Sequence, residues 1–428
     1  MPTLKGKLVS VGTHHIRKEA TGTTALEEFQ WDTTLNNNIT FVSGQLVKLT
    51  YRHSPMNATL ESVFLDYRLT NNGAVDVSVL PLWAGGVREM RIYVNNKRVV
   101  DWNREEQCRT AWNTTLLTSH DTDKDRDNRY YVQTGQASVL DGTGNFTPVV
   151  IPAGESHQFH LNFKDFWEGF SAGLPLNKVG LIEVEINLSS RGDFVCNPPT
   201  AVGDLQIDNL LVYSKHKRYM TTQPPQSMGA FTILHKDVDI HQFSPSQHPF
   251  GSPEQEFDIN ISVDFPRRKY ITRLILFSRD PSSVEAYRQV DSSWVRSLEL
   301  LRNGITLLGT EYHLDTERKI YKEVCQYLQR HHSTACPTHP ADLGHGESFY
   351  LTFVDCSTVQ HTQNDSASRE TKDVEVNGLD NFSNLVLRIK SNTNVVSATS
   401  NLVILLEYNR FDKVMANGSV VKVLEHLA

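Results

Sequence analysis

The sequence predicts an all-β protein built as two tandem β-sandwiches with short helical insertions. Three observations carry this. Apolar residues recur at every second position in six segments, Asn- and Gly-bearing turn signals punctuate those segments, and a Pro/Gln/Ser-rich stretch over residues 220–229 divides the chain into comparable halves. Alternation puts one face of a strand on a core and the other in water or on a neighbour. That is the pattern of antiparallel sheets packed face to face.

In the first half, Val63, Leu65, Tyr67 and Leu69 alternate with Phe64, Asp66 and Arg68. Phe159, Leu161 and Phe163 alternate with His160 and Asn162, and Ile182, Val184, Ile186 and Leu188 with Glu183, Glu185 and Asn187. In the second half the same holds for Phe257, Ile259, Ile261 and Val263, for Phe349, Leu351 and Phe353, and for Leu385, Leu387 and Ile389. Asn72-Gly73 reads as the turn between Val63–Leu69 and Val75–Leu82, and Asn95-Asn96 as that between Arg91–Val94 and Arg98–Val100. Both residue types tolerate the positive φ of tight hairpins. Ile151-Pro152-Ala153-Gly154 reads as a turn entering the 159–163 strand.

Three segments carry helical spacing instead. Residues 102–117 have an acidic start at Glu105 and Glu106. Residues 283–302 open at Ser283 and space Val290, Trp294, Leu298 and Leu301 along one helical face. Residues 316–331 have Thr316 as N-cap and Ile320, Val324, Tyr327 and Leu328 on a common face. No Rossmann-like alternation of strands and helices occurs, so the helices read as insertions in an all-β plan.

These signals divide the 428 residues into an arm (1–40), a first sandwich (41–213), a linker (214–229), a second sandwich (230–412) and a tail (413–428). Each sandwich is a comfortable size for one core. The short apolar tail, with Val420, Val421, Val423, Leu424 and Leu427, is expected to dock on its parent domain or on a neighbour. With 39% hydrophobic and 21% charged residues the chain is foldable rather than disordered. Its 42 Lys+Arg against 49 Asp+Glu exclude a protein that coats nucleic acid with its whole surface. Five Cys are too few for a disulfide scaffold. No apolar run approaches the ~20 residues of a membrane span, and the first residues lack a signal-peptide core. The expectation is folding in a reducing cytoplasm.

No nucleophile elbow, Walker A loop, dinucleotide fingerprint or HExxH motif is present, and no cofactor is expected. Asp121, Asp123 and Asp125, followed by Asp127, cluster the oxygens that a hard cation needs. An EF-hand loop would require Gly and Glu where Arg126 and Val132 stand, and Lys124, Arg126 and Arg129 neutralise the cluster. A solvated loop is therefore the stronger reading and a divalent-ion site the weaker one. Cys325, His331, His332, Cys336 and His339 offer soft ligands at irregular spacing, with a helix end and polar loop as the plainer reading. Arg191-Gly192-Asp193 reads as a turn. Glu183 and Glu185 share a strand face and read as a solvated or inter-subunit face before a glycosidase pair. Lys5, Lys7, Arg17 and Lys18, with His14 and His15, precede the first acid, Glu19. A local basic arm of this kind suits contact with phosphate, with a solvated terminus as the alternative.

Taken in order, these segments resemble a known family, the double jelly-roll major capsid proteins of tectiviruses and other tailless, membrane-containing icosahedral viruses, with adenovirus hexon as a distant relative. Phe41-Val-Ser-Gly-Gln-Leu-Val-Lys-Leu49 resembles the first strand after the arm, Leu65–Trp83 the next hairpin, Val87–Asn96 the following strand and Trp102–Leu117 the first flanking helix. Ile151–Gly154, Gly173-Leu-Pro-Leu-Asn177, Leu181–Leu188 and Leu210-Leu-Val-Tyr213 resemble the rest of that roll. The 316–331 helix, Phe349–Phe353 and Leu402–Tyr408 fall in the family order in the second.

The resemblance implies two tandem eight-stranded jelly-roll sandwiches and a non-enzymatic capsid protein. It implies a homotrimer with a pseudo-hexagonal outline, tiling an icosahedral virion shell of a bacteriophage kind, assembled in the host cytoplasm. It also implies contacts with neighbouring capsomers, with penton and minor capsid proteins and with an internal lipid membrane through the basic arm, and no specific nucleic acid. The competing class is a tandem β-sandwich that binds or cleaves carbohydrate, for which Trp31, Trp83, Trp102, Trp112, Trp167 and Trp294 would supply platforms if folding gathered them. A minor spike or vertex protein is the third option, and the two balanced halves argue against it.

Overall fold

The computed structural model describes residues 7–8, 16–19, 22–33, 39–40, 46–52, 58–79, 86–103, 149–163, 166–170, 173–189, 205–219, 231–248, 253–265, 270–279, 290–291, 294–307, 312–313, 352–356, 358–359, 376–377, 379–380, 384–391, 400–415 and 417–424. These form two antiparallel β-sandwiches in succession. In the first, one sheet runs in the order Gly22–Gln30, Leu205–Tyr219, Ala58–Asn71, Ser156–Asn162. Its companion sheet runs Lys97–Asn103, Val87–Val94, Leu181–Leu188, Leu46–Arg52, Asp32–Thr33.

The Leu181–Leu188 strand shows why these residues take this form. Ile182, Val184, Ile186 and Leu188 are buried, while Glu183 and Glu185 face outward. Register places Val184 between Leu49 and Ile92, so three strands contribute to one apolar row. A fully buried aliphatic side chain contributes about 1.5–3 kcal/mol. The chain crosses between the two sheets at Trp31, whose backbone N–H donates to Val212 O at 2.8 Å and whose ring is buried at the end of the sandwich.

In the second sandwich, one sheet runs Phe231–Phe243, Asn401–Val414, Tyr270–Arg279, Val290–Asp291. The other runs Glu256–Asn260, Leu385–Ser391, Val295–Arg302, Ile305–Thr306. Phe257 and Trp294 stack in its core with centroids 6.4 Å apart. The Asn95-Asn96 turn has both residues at positive φ, 48° and 66°, and Gly154 at 75° closes the turn before Ser156. Both expectations hold.

Other expectations need correction. Residues 295–302 are a strand, not the end of a helix. The pairing of Val295–Arg302 with Leu385–Ser391 shifts between Val295 and Ser297. Beyond that shift the ladder is regular and puts Leu298 and Leu301 on opposite faces, opposite Ile389 and Val386; both are buried, as is Trp294, so the apolar spacing imitates a helix. Trp102 likewise ends a strand, opposite Met90, and residues 104–117 and 316–331 lie outside the described residues. The 257–263 alternation breaks at Asn260, whose side chain accepts from Val263 N at 3.2 Å and caps a single helical turn, Ile261–Asp264. Asn72-Gly73 does not join a hairpin. Ala58–Asn71 pairs with Ser156–Asn162, while Val77–Val79 pairs with Val149–Ile151. Buried Asn71 redirects the chain, its amide donating to Val75 O at 2.8 Å and Ile151 O at 3.0 Å.

The outer boundaries also move. Gly22–Gln30, Asp32–Thr33 and Ile39–Thr40, placed in the arm by the sequence, pair within the first sandwich. The strand Leu205–Tyr219 runs six residues into the expected linker. The tail docks on its own domain: Val420–Leu424 pairs with Arg410–Val414.

Candidate assembly site

Asp121, Asp123 and Asp125, the Cys325–His339 cluster and Arg191–Asp193 lie outside the described residues, as does Lys5. Among the described residues no group of three or more His, Cys, Asp or Glu is placed to hold a metal ion. Nor is any helix among them long and apolar enough to cross a membrane.

Three of the four basic residues singled out in the arm lie on short strands paired with the Gly22–Gln30 strand, Lys7 at its end and Arg17 and Lys18 near its start. Lys7 opens the short strand Lys7–Leu8 opposite Gln30, and Arg17 and Lys18 lie in Ile16–Glu19 opposite Thr24 and Thr23. Both strands run along the edge of Gly22–Gln30, whose other edge holds Leu205–Tyr219.

Glu183 and Glu185 do not flank a cleft. Lys48 sits opposite them on the neighbouring strand, 2.9 and 3.6 Å away. Its hydrogen bond to Glu183 raises the ammonium pKa, against partial desolvation. Tyr93 joins the same face, its phenol pKa raised by burial and then by Glu185. The outer face of the second sandwich repeats the device, with Arg388 against Asp258 at 2.9 Å and Glu256 at 3.2 Å. Cross-strand ion pairs of this exposed kind contribute little stability and define a patterned polar surface.

Sequence reasoning missed one buried polar site among the described residues, the junction between the sandwiches. Arg410, 3% exposed, directs Nε and Nη2 at the two oxygens of fully buried Asp412, at 2.9 and 3.0 Å. Its Nη1 reaches Asp237, which also accepts from Tyr408 Oη at 3.1 Å. All of these belong to the second sandwich. Two bonds cross to the first: Arg410 Nη2 donates to Val99 O at 2.5 Å, and Trp167 Nε1 donates to Asp412 Oδ2 at 3.1 Å. Burial pulls the guanidinium pKa down, but Asp237 and Asp412 outweigh it and leave the value raised, so the charge is retained. A second crossing lies at the Asn95 turn. Asn95 Nδ2 donates to Gly418 O at 2.6 Å and Lys178 O at 3.0 Å, while its Oδ1 accepts from Gly180 N and Leu181 N. The available signal was Arg410 and Asp412 two apart, on one face of a strand that is otherwise apolar from Leu402 to Leu406.

The architecture is the double jelly roll of viral major capsid proteins. Solved structures with this fold include the PBCV-1 virus capsid, at 12% identity over 98% of this chain and 100% of that one, TM-score 0.61. The mavirus major capsid protein is 9% identical over 100% and 94%, TM-score 0.51. The Faustovirus major capsid protein is 8% identical over 92% and 91%, TM-score 0.52. No family model and no curated protein sequence matches the chain. At these identities the shared property is the fold.

Proposed function

We propose that this protein is a viral major capsid protein that assembles as a homotrimer. The observation that carries the reading is the match of both tandem jelly rolls, over nearly the whole chain, to major capsid proteins. Two rolls in one chain let a trimer present six similar sandwiches, a near-hexagonal block able to tile an icosahedral facet, and closed symmetry ends growth at three copies. The structures it resembles come mostly from viruses of eukaryotes, which favours such a host over a bacterial one.

In this reading the chain catalyses no reaction. Its partners are neighbouring capsomers, penton and minor capsid proteins and, through Lys5, Lys7, Arg17 and Lys18, the anionic surface of an internal membrane. Near such a surface each Lys or Arg contributes about 1 kcal/mol. The site of action is the virion, and assembly takes place in the host cytoplasm. The carbohydrate alternative is weakened by Trp31, Trp102, Trp167 and Trp294, all at most 2% exposed and so unable to serve as sugar platforms.

Light scattering on the purified protein, with negative-stain images of the same peak, tests the proposal. A particle near three times 48.5 kDa with a hexagonal outline is expected. A monomer or dimer without hexagonal particles overturns it. Binding to anionic vesicles that is lost when the four basic residues become Ala tests the membrane contact.

A further inference from the structure

We propose that Arg410 is a positioning residue that fixes the angle between the two rolls and so sets the outline of the capsomer. Its effect on capsomer shape rests on the capsid reading; its effect on the angle does not.

Apolar contact between two sandwiches is non-directional and leaves them free to slide or rotate against each other. A planar guanidinium is directional: five N–H donors point along a rigid fork. Here that fork spans the boundary. Nε and Nη2 hold Asp412, Nη1 holds Asp237, and Nη2 also reaches Val99 O in the first roll. Asp412 returns the link by accepting from Trp167 Nε1. Rotating one roll against the other breaks both crossing bonds and leaves a buried charge pair misaligned. Replacing buried ion pairs by apolar residues of similar volume is often neutral for stability, so the presence of one at this boundary fits a role in selecting one arrangement. The Asn95–Gly418 bond is a second tether. Two crossings, together with apolar contact, define an orientation where one would leave a pivot.

The test is an intramolecular distance. Spin labels carried on non-natural amino acids are placed at exposed Gln158 in the first roll and exposed Ile305 in the second, and the labelled chain is diluted into unlabelled protein. Wild type should give one narrow distance distribution. Arg410→Met should lower the denaturation midpoint, because Asp412 is left charged and buried, and should widen the distribution at least roughly twofold, as a loosened inter-domain contact does. Arg410→Met/Asp412→Leu should recover the midpoint while the distribution stays wide and hexagonal particles are lost. A narrow wild-type distance in that double variant overturns the proposal. If the Arg410 variants do not fold, benzothienylalanine in place of Trp167, in which sulfur replaces the indole N–H and the bicyclic ring is kept, decides: a wider distribution supports the lock and an unchanged one overturns it. Arg273→Met is the control for a purely structural role, since Arg273 pairs with buried Glu407 inside one roll; it should lower the midpoint and leave the distance unchanged. Failure of wild type to trimerise sinks the capsid reading and leaves the distance result standing.

Discussion

Arg273 and Glu407 are at most 1% exposed and 2.7 Å apart, on adjacent strands of one sheet. Removing one member of such a pair strands the other charge. Glu407→Leu alone is expected to cost about 3–5 kcal/mol in denaturant unfolding, and Arg273→Met/Glu407→Leu much less. Histidines give the chain a pH dependence of known sign. His248 stacks on Phe257, and burial lowers its pKa from 6.5, with Asp264 opposing in part. Burial alone does the same to His157. The unfolded chain therefore binds protons that the folded one resists. Stability from these groups is full above a pH of about 6.5 and is lost as the pH falls through the lowered folded values. The thermal midpoint should drop on acidification from neutral pH, and it should drop less in His157→Gln/His248→Gln.

Turns and strand ends decide how the elements meet. Gly418 has φ 79°, and a Cβ there would lie 2.4 Å from Lys178 O in the first roll. Gly418→Ala should therefore cost more than the ~1–2 kcal/mol of the left-handed conformation alone, and Asn95→Ala about 1–3 kcal/mol through its stranded partners. Thermal melts of both variants check this. The Asn95-Asn96 turn was legible because its chemistry is local: two residues tolerant of positive φ stand between two alternating runs. The bonds of Asn95 to Lys178 and to Gly418, 323 residues away, were not, since no spacing rule reports such partners. The same distinction explains the errors. Strand periodicity in Leu181–Leu188 or Leu385–Ser391 follows from strict alternation of buried and part-exposed residues and could be read directly. In Val295–Arg302 both faces of the strand bury apolar residues, Leu298 and Leu300 on one and Leu301 on the other, and the apolar spacing imitates a helix. The polar junction was hidden for a further reason: Arg410, Asp412, Trp167 and Val99 become neighbours only once both rolls are complete.

The amino-terminal boundary determines how a deletion must be read. A truncation of residues 1–28 would remove most of Gly22–Gln30, which pairs with Leu205–Tyr219 along Tyr213–Tyr219. Loss of assembly after that deletion would report a damaged roll as readily as a missing arm. Trp31 sharpens the point. Its indole donates to Ser214 Oγ at 2.9 Å, its ring lies 5.3 Å from Tyr51, and it is 2% exposed, so Trp31→Ala should cost about 3–5 kcal/mol. The informative deletion ends before Gly22. It removes Lys5, Lys7, Arg17 and Lys18 with the two short edge strands and leaves the longer Gly22–Gln30 strand in place. Under the capsid reading, this shorter truncation should keep the thermal midpoint within a few degrees of wild type and keep the trimer, while shells fail to close or lose their membrane. A truncation through residue 33 should unfold the first roll and abolish the trimer itself. Intact shells from the shorter truncation would remove the arm from assembly and leave the rolls alone to carry it.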